Sequence, residues 1–387
     1  MADKLPIIIF KGDESLCYGV LRSYSEQLRD ALIELGEDVI YLDPATAVFG
    51  DYKGKRFKAV IAFMENFFYT VHPETGELIF DLIEGPKFNY WTDYPGFYYK
   101  QMERVPKDFY ILTLDRNYVN FINKYYRNTR AFFLPPGGRK ADRIIPFSER
   151  KYGLSFVGSF LNWEDAIRNF DSADATTKVI VDRYLDYLIN EPDTTTEEGF
   201  RRVLDEFGAR VDDGQFLKEL GKVHPLADRG VSRLFRQEII NTILDSGIEL
   251  DVFGDSWRNA PFSDKANLHI HPYVDSGSVN EIYENSRMSL NIMTWHKDSI
   301  TERVLDSMMA GAIAVSDQTM ALRESFVEGK EILLYSLAGV DRLPNIIKAN
   351  LDNEKLAQRG QEKAMEDHTW KDRARQLLDI IKNIKYS

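Results

Sequence analysis

Trp295-His296-Lys297-Asp298-Ser299-Ile300-Thr301-Glu302-Arg303-Val304-Leu305-Asp306-Ser307-Met308-Met309-Ala310-Gly311-Ala312-Ile313-Ala314-Val315-Ser316-Asp317 reads as loop, helix, tight turn and strand. An apolar strand, Met288 to Met293, leads into it. Ser299 and Glu302 have the Ser-x-x-Glu spacing of a capping box, which starts a helix spanning Thr301 to Ala310. Val304, Leu305, Met308 and Met309 supply its apolar face, and the small Ala310-Gly311-Ala312 turn lets it pack closely before the next strand. A helix N-terminus offers backbone N–H groups and a partial positive charge, which suits phosphate. The expected donors are the amides of Ile300, Thr301 and Glu302 and the hydroxyls of Ser299 and Thr301, with Lys297 or Arg303 as the nearby cation. Without a phosphate the same residues form an ordinary capped helix. Glu302 and Asp306 stand four apart, a spacing at which like charges cost a few tenths of a kcal/mol. Arg303 offsets this, and Asp306 on the polar face suits the two hydroxyls of a ribose.

Outward from this stretch, short apolar strands alternate with helices. In the first part, strands fall at Ile7–Phe10, Asp38–Leu42, Phe57–Met64, Phe88–Trp91, Phe109–Leu114 and Ala131–Leu134, with helices at Tyr24–Leu35 and Asn117–Tyr126. After Pro135-Pro136-Gly137-Gly138 comes a polar linker, Arg139 to Lys151. A strand at Leu154–Val157 then opens a second part. It carries a helical region from about Trp163 to Ser246, broken near Pro192, Gly208 and His224-Pro225. Strands at Leu250–Phe253, Leu268–Tyr273, Met288–Met293, Ile313–Ser316 and Ile332–Tyr335 follow, and three helical segments close the chain. Such alternation predicts mostly parallel sheets covered by helices on both faces. We therefore expect an α/β chain of two domains, at 1–150 and 151–369, with an insertion at about 163–246 and a closing helix at 370–387 packing back on the first domain.

The length of 387 residues also favours two cores over one. A net charge of −12 argues against nucleic acid and anionic membrane as general partners. A single cysteine, Cys17, rules out an internal disulfide and fits a reducing, cytoplasmic compartment. Met1 to Pro6 do not read as a signal peptide, and no apolar run approaches the ~20 residues of a membrane span. Tyr90-Trp91 and Phe97-Tyr98-Tyr99 are aromatic clusters of the kind that fill cores or line sugar-binding clefts.

At the level of motifs the chain resembles the group-1 glycosyltransferases, most closely their CgeB-like branch. That pattern has two glutamates eight apart, then Ala-Met-Ala-Cys-Gly and a Pro-Val-Val strand. Here Asp298 and Asp306 take the acidic places, followed by Ser307-Met308-Met309-Ala310-Gly311 and Ile313-Ala314-Val315. Phe326 to Ile332, His368-Thr369-Trp370 and Val252-Phe253-Gly254-Asp255-Ser256-Trp257 resemble other family segments. So do Thr92-Asp93-Tyr94-Pro95 and Leu134-Pro135-Pro136-Gly137-Gly138, each with a histidine replaced. The resemblance implies two Rossmann-like domains facing a cleft (the GT-B fold) and transfer of a sugar from a nucleotide donor, UDP-linked by family prior. It places Asp306 on the donor ribose, Ser299 to Thr301 on the phosphates, Asp298 at the first acidic place, and Gly254, Tyr273 and Val274 near the nucleotide. The acceptor, whether protein, glycan or lipid-linked, stays open.

Inverting transfer needs a carboxylate to take the acceptor's proton. Asp13, Glu65 and Asp93, all at strand ends of the first domain, are the candidates. The loop Gly12-Asp13-Glu14-Ser15 lacks the Gly-x-Gly-x-x-Gly fingerprint, which argues against dinucleotide oxidoreductase chemistry. His269 and His271 alternate along a strand without a third ligand nearby, so a packed or hydrogen-bonded core pair is expected there, and neither a metal nor a cofactor. Two alternatives stand beside transfer: a non-catalytic nucleotide-sugar-binding or coat-associated protein, and a sugar-nucleotide epimerase.

Overall fold

The computed structural model describes residues 5–384. Met1 to Lys4, and residues 385–387 of the expected closing helix, lie outside these. The chain divides into two compact units. The first comprises residues 1–139, 275–277 and 367–387, and the second residues 140–274 and 278–366.

The first unit runs β1 (Ile7–Phe10), α1 (Val20–Glu34), β2 (Val39–Leu42), β3 (Ala59–Phe63), β4 (Lys87–Trp91), β5 (Phe109–Thr113), α2 (Arg116–Tyr125) and β6 (Arg130–Phe133). All its strands are parallel, in the order β2-β1-β3-β4-β5-β6. β1 and β3 are buried at every position, as expected of a parallel sheet covered on both faces. The chain steps outward from β1 to β2, then returns to place β3 on the other side of β1. Such a reversal opens a crevice beyond the carboxyl ends of the two strands. Asp13 and Glu65 follow those two ends.

The second unit begins with β7 (Tyr152–Val157) and the helical insertion: α3 (Glu164–Ile167), α4 (Ala175–Asn190), α5 (Thr196–Glu206), α6 (Asp213–Val223) and α7 (Ser232–Asp245). Asp174, Thr195 and Asp212 cap α4, α5 and α6 through their side chains. The expected break at His224-Pro225 falls where α6 ends, with His224 at its C-cap. Beyond it, Leu226–Val231 forms a π-helical turn that carries the chain into α7.

Then come β8 (Leu250–Phe253), β9 (Leu268–His271), α8 (Val279–Glu284), β10 (Ser286–Asn291), α9 (Glu302–Met309), β11 (Ile313–Asp317), α10 (Met320–Ser325), β12 (Leu333–Tyr335), α11 (Leu343–Asn350), α12 (Glu354–Asp367) and α13 (Trp370–Asn383). The second sheet is parallel throughout, in the order β12-β11-β10-β7-β8-β9. Its reversal lies between β7 and β10, so the loop after β10 stands at the ligand-binding end. That loop is the start of the 295–317 stretch.

Helix α13 belongs to the first unit. Trp370, Leu377 and Ile381 join Leu28 and Leu32 of α1 in one buried cluster. Thr369 and Asp372 form a reciprocal capping box at its start. Gly137 allows this approach, since a Cβ there would come within 2.4 Å of the Trp370 backbone nitrogen.

Candidate functional site

In the second unit the phosphate-binding candidate is built differently from its sequence reading. Helix α9 starts at Glu302, with Thr301 rather than Ser299 at the N-cap, and no side chain closes a capping bond. The Ser299–Glu302 capping box therefore does not form. The reason is that the loop is pinned before it reaches the helix. Thr319 Oγ1 donates to the Ser299 carbonyl at 2.7 Å, and Ser299, Ile300 and Thr301 are all buried. The Thr301 hydroxyl, which would otherwise cap, donates instead to Asn291 Oδ1 at 3.4 Å. The first-turn amides are thus those of Glu302, Arg303 and Val304, which have no acceptor within the helix. The Ile300 and Thr301 amides precede them.

Arg303 sits on this first turn. Its Nη1 is buried with no hydrogen-bond partner, its Nη2 lies 3.4 Å from Met293 Sδ, and its Nε is 3.8 Å from Glu302 Oε1. A buried guanidinium nitrogen with no acceptor is costly, and it marks a place where an anion fits. Asp306 is half-buried one turn further along the helix. Asp317, at the end of β11, accepts from the Met293 amide at 3.1 Å. Burial raises its carboxyl to about 6 against the pull of that bond, Lys297 and Arg303. His296, fully buried beside Arg303 and Lys297, is lowered to about 3, first by burial and then by those cations, so it is neutral at ordinary pH.

Two expected donor residues are drawn elsewhere. Asp298 Oδ1 accepts from the Ala321 amide at 2.9 Å and so fastens the start of α10. Lys297 Nζ donates to the Pro192 carbonyl in the turn between α4 and α5. Gly254, Tyr273 and Val274 follow the ends of β8 and β9. Gly254 has φ 150, and a Cβ there would meet the Gly158 carbonyl oxygen at 3.0 Å. That same oxygen accepts from Trp257 Nε1 at 2.7 Å. The Tyr273 amide donates to Asp255 Oδ2 at 3.1 Å, and the residue is 50% exposed.

His269 and His271 are not a core pair. β9 is an edge strand, and they face Glu249 (2.6 Å) and Asp251 (2.7 Å) on its flank, His271 also stacking on Phe253. Among the described residues no group of three or more His, Cys, Asp or Glu is arranged to hold a metal ion.

In the first unit the three carboxylates differ. Asp13 is exposed. It accepts from the amide and hydroxyl of Ser15 at 2.8 and 2.7 Å, which lowers its pKa. Asp93 is exposed after β4, with the Tyr98 hydroxyl 3.5 Å away and Tyr98 stacked on Trp91. Glu65 is partly buried, and burial, then the charge of Asp13, raise its carboxyl to about 7. Its backbone is clamped from both sides: Asn89 Nδ2 donates to its carbonyl at 2.8 Å, and its amide donates to Asn89 Oδ1 at 3.1 Å. The preceding Met64 has φ 58, a left-handed conformation costing about 1–3 kcal/mol for such a residue. Met64 Sδ accepts from the Thr92 amide at 3.0 Å, which helps hold that geometry.

Sequence reading passed over Asn291, Asp317, Thr319 and Asn89. Asn291 and Asp317 end apolar strands and Thr319 follows one, a position by which they are recognisable, whereas Asn89 stands in the middle of β4. Thr319 both caps α10, accepting from the Leu322 amide at 3.1 Å, and tethers Ser299. Thr319→Ala is therefore expected to lower stability by about 1–3 kcal/mol, measured by denaturant unfolding. A loss under about 0.5 kcal/mol would contradict the tether.

Residues 233–379 match the family described as Glycosyl transferase-like, which is less than half of the chain. No curated protein sequence matches. Among solved structures, the chain is similar to T4 phage BGT in complex with its UDP-glucose substrate, with a TM-score of 0.54, 12% identity, and coverage of 98% of this chain and 99% of that one. It is similar to the sucrose-phosphate synthase of Thermosynechococcus elongatus, with a TM-score of 0.54, 10% identity and coverage of 98% of each chain. An alpha-glucosyltransferase solved with UDP-glucose and DNA containing an abasic site gives a TM-score of 0.52 and 12% identity, covering 98% of this chain and 100% of that one. Family match and fold together support sugar transfer from a nucleotide-sugar donor. The two parallel six-stranded sheets with flanking helices are the two Rossmann-like domains of the GT-B glycosyltransferase fold.

Proposed function

We propose that this chain is a glycosyltransferase whose second unit binds a nucleoside-diphosphate sugar and whose first unit binds the acceptor. One observation carries the reading: the buried, unpartnered Nη1 of Arg303 beside the uncapped N-terminus of α9, at the strand-order reversal of the second sheet. Amides of Glu302 to Val304 and the Arg303 guanidinium supply what a departing diphosphate needs, positive charge fixed in place before the reaction. This is a metal-independent arrangement. Asp306, on the same helix, holds the ribose. Ser299 acts through the loop it fixes, and Lys297 and Asp298 act through the neighbouring elements they fasten. Gly254, Tyr273 and Val274 frame the base.

UDP is proposed as the nucleotide from the family resemblance and from the UDP-glucose in fold relatives. The sugar is a hexose or an N-acetylhexosamine, and the branch is the CgeB-like one. The acceptor is a protein, a glycan or a lipid-linked precursor. The net charge of −12 disfavours nucleic acid, although one fold relative was solved with DNA. Among the described residues no helix is long and apolar enough to cross a membrane. A cytoplasmic location is proposed from the single cysteine.

Of the three candidate bases, Glu65 suits the role best. A general base works best with a pKa near the operating pH, and burial brings this carboxyl to about 7. Asp13, held ionised by Ser15, is too weak a base, though its charge helps raise Glu65. Asp93 is placed to bind acceptor hydroxyls beside the stacked Trp91 and Tyr98.

Two measurements test this. Calorimetric titration of UDP, GDP and ADP should show one diphosphate binding, weakened about tenfold or more (~1.4 kcal/mol) by Arg303→Met and by Asp306→Ala. No binding to the wild type would favour a non-catalytic relative. For the base, only the ionised carboxylate accepts a proton. Thus kcat should rise with pH and level off above about 7. Glu65→Gln should cost about 10²-fold or more in kcat with KM little changed. An unchanged pH profile in that variant would shift the role to Asp93.

A further inference from the structure

Three neighbouring loops leave one edge of the first sheet. β1, β3 and β4 stand side by side in that order. Adjacent strands are about 4.8 Å apart, so the ends of β1 and β4 lie about 10 Å from each other on either side of β3. The loop after β1 brings Asp13 and Tyr18, the loop after β3 brings Glu65, and the loop after β4 brings Asp93 and Tyr98. The last two loops touch directly. The Thr92 amide donates to Met64 Sδ at 3.0 Å, which leaves Glu65 and Asp93 each one residue from the same contact.

The two tyrosines are not placed as core residues are. Tyr98 stacks on Trp91, with ring centroids 4.3 Å apart and planes inclined by 29°. Trp91 is buried, whereas Tyr98 is partly exposed. The accessible part of Tyr98 therefore faces away from the tryptophan, and its hydroxyl ends 3.5 Å from the exposed Asp93. Tyr18 is 56% exposed and has φ 59, a left-handed backbone that a residue with a Cβ adopts only at a cost. Its carbonyl accepts from the Ser276 amide at 3.1 Å, which helps hold that conformation. A ring this exposed contributes little to the core, so packing does not account for a tyrosine where glycine would be unstrained. Strained residues of this kind cluster at ligand-binding sites.

Aromatic faces with carboxylates beside them match a saccharide. Its C–H faces carry slight positive charge and lie on the negative face of a ring. Its hydroxyls donate to carboxylates, which accept only. Charge decides against other occupants. Asp13 and Asp93 repel a polyanion such as nucleic acid. A cationic peptide is attracted, but a positive charge beside Glu65 favours the ionised form and lowers the basicity on which its proposed role depends. An uncharged ligand leaves that basicity intact.

We propose that the ends of β1, β3 and β4 form a binding site for an uncharged oligosaccharide acceptor, with Tyr18 and Tyr98 stacking on its rings and Asp13 and Asp93 accepting from its hydroxyls. The inference rests on the transferase reading and narrows its acceptor to the glycan. It is tested on the full chain by saturation-transfer NMR with maltotetraose, cellotetraose and chitotetraose, and with octathymidylate and pentalysine as charged rivals, in wild type, Tyr98→Ala and Tyr18→Gly. Glycine takes the left-handed backbone at position 18 freely, so that variant keeps the fold. At least one tetrasaccharide should bind the wild type, and each variant should weaken it about fivefold or more, the order expected for one lost ring face. Calorimetry with UDP should give the same affinity in all three proteins, which also shows that the variants fold. Three results overturn the inference: no tetrasaccharide binds, either substitution leaves the binding unchanged, or only octathymidylate or pentalysine binds through the tyrosines. UDP binding to the wild type then leaves the donor site standing. A tetrasaccharide bound through both tyrosines without any UDP binding sustains the saccharide site and overturns the transferase reading.

Discussion

Everything proposed for the second unit depends on how α9 begins. A helix ordinarily satisfies its first amides with a side-chain cap, and here the residue in place to do so, Thr301, spends its hydroxyl on Asn291 at the end of β10. Asn291 is itself fixed, donating to Ser316 Oγ at 2.9 Å, while its carbonyl accepts from Tyr335 at 3.0 Å. The strand ends of β10, β11 and β12 thus determine that the helix starts uncapped. Asp317 and Thr319 then hold the loop on either side of it, through Met293 and Ser299. The outcome is a helix start whose first-turn amides lack a side-chain cap, with the buried Nη1 of Arg303 beside them. Such rigidity matters for catalysis, because donors that need not reorganise stabilise developing charge most effectively.

The first unit applies the same architecture to a different end. Its reversal between β1 and β3 brings Glu65 close enough for the charge of Asp13 to act on it, and the left-handed Met64 turns the chain between strand and carboxylate. Asn89 grips the Glu65 backbone at both its N–H and its C=O. A left-handed turn and a double backbone clamp fix this partly buried carboxylate. The second unit thus presents first-turn amides beside Arg303, and the first a carboxylate raised to about 7, the groups that the proposed transfer would use.

Much of this was legible in the sequence because parallel strands, buried on both faces, read as apolar runs such as Ile7–Phe10 and Ile313–Ser316. The strand-helix alternation carried the fold, and the spacing of Val304, Leu305, Met308 and Met309 marked α9. Its N-cap lies two residues beyond the expected Ser299, because Ser299-x-x-Glu302 satisfies a local rule that a long-range bond from Thr319 overrides. Local patterns contain no information about that partner. The same limit hid the diversion of Lys297 to Pro192 and of Asp298 to α10, since both are decided by elements distant in sequence. His269 and His271 were misplaced because alternation gives the face of a strand but not its place in the sheet. The π-helical turn at Leu226–Val231 escaped because proline normally signals a stop.

The most direct test of the donor site is a crystal structure of the protein with UDP bound. The diphosphate oxygens are expected within hydrogen-bond distance of the Glu302 to Val304 amides and the Arg303 guanidinium, with the ribose hydroxyls on Asp306. A nucleotide found at the ends of β1 and β3, or bound in the second unit without contact to α9, would contradict it.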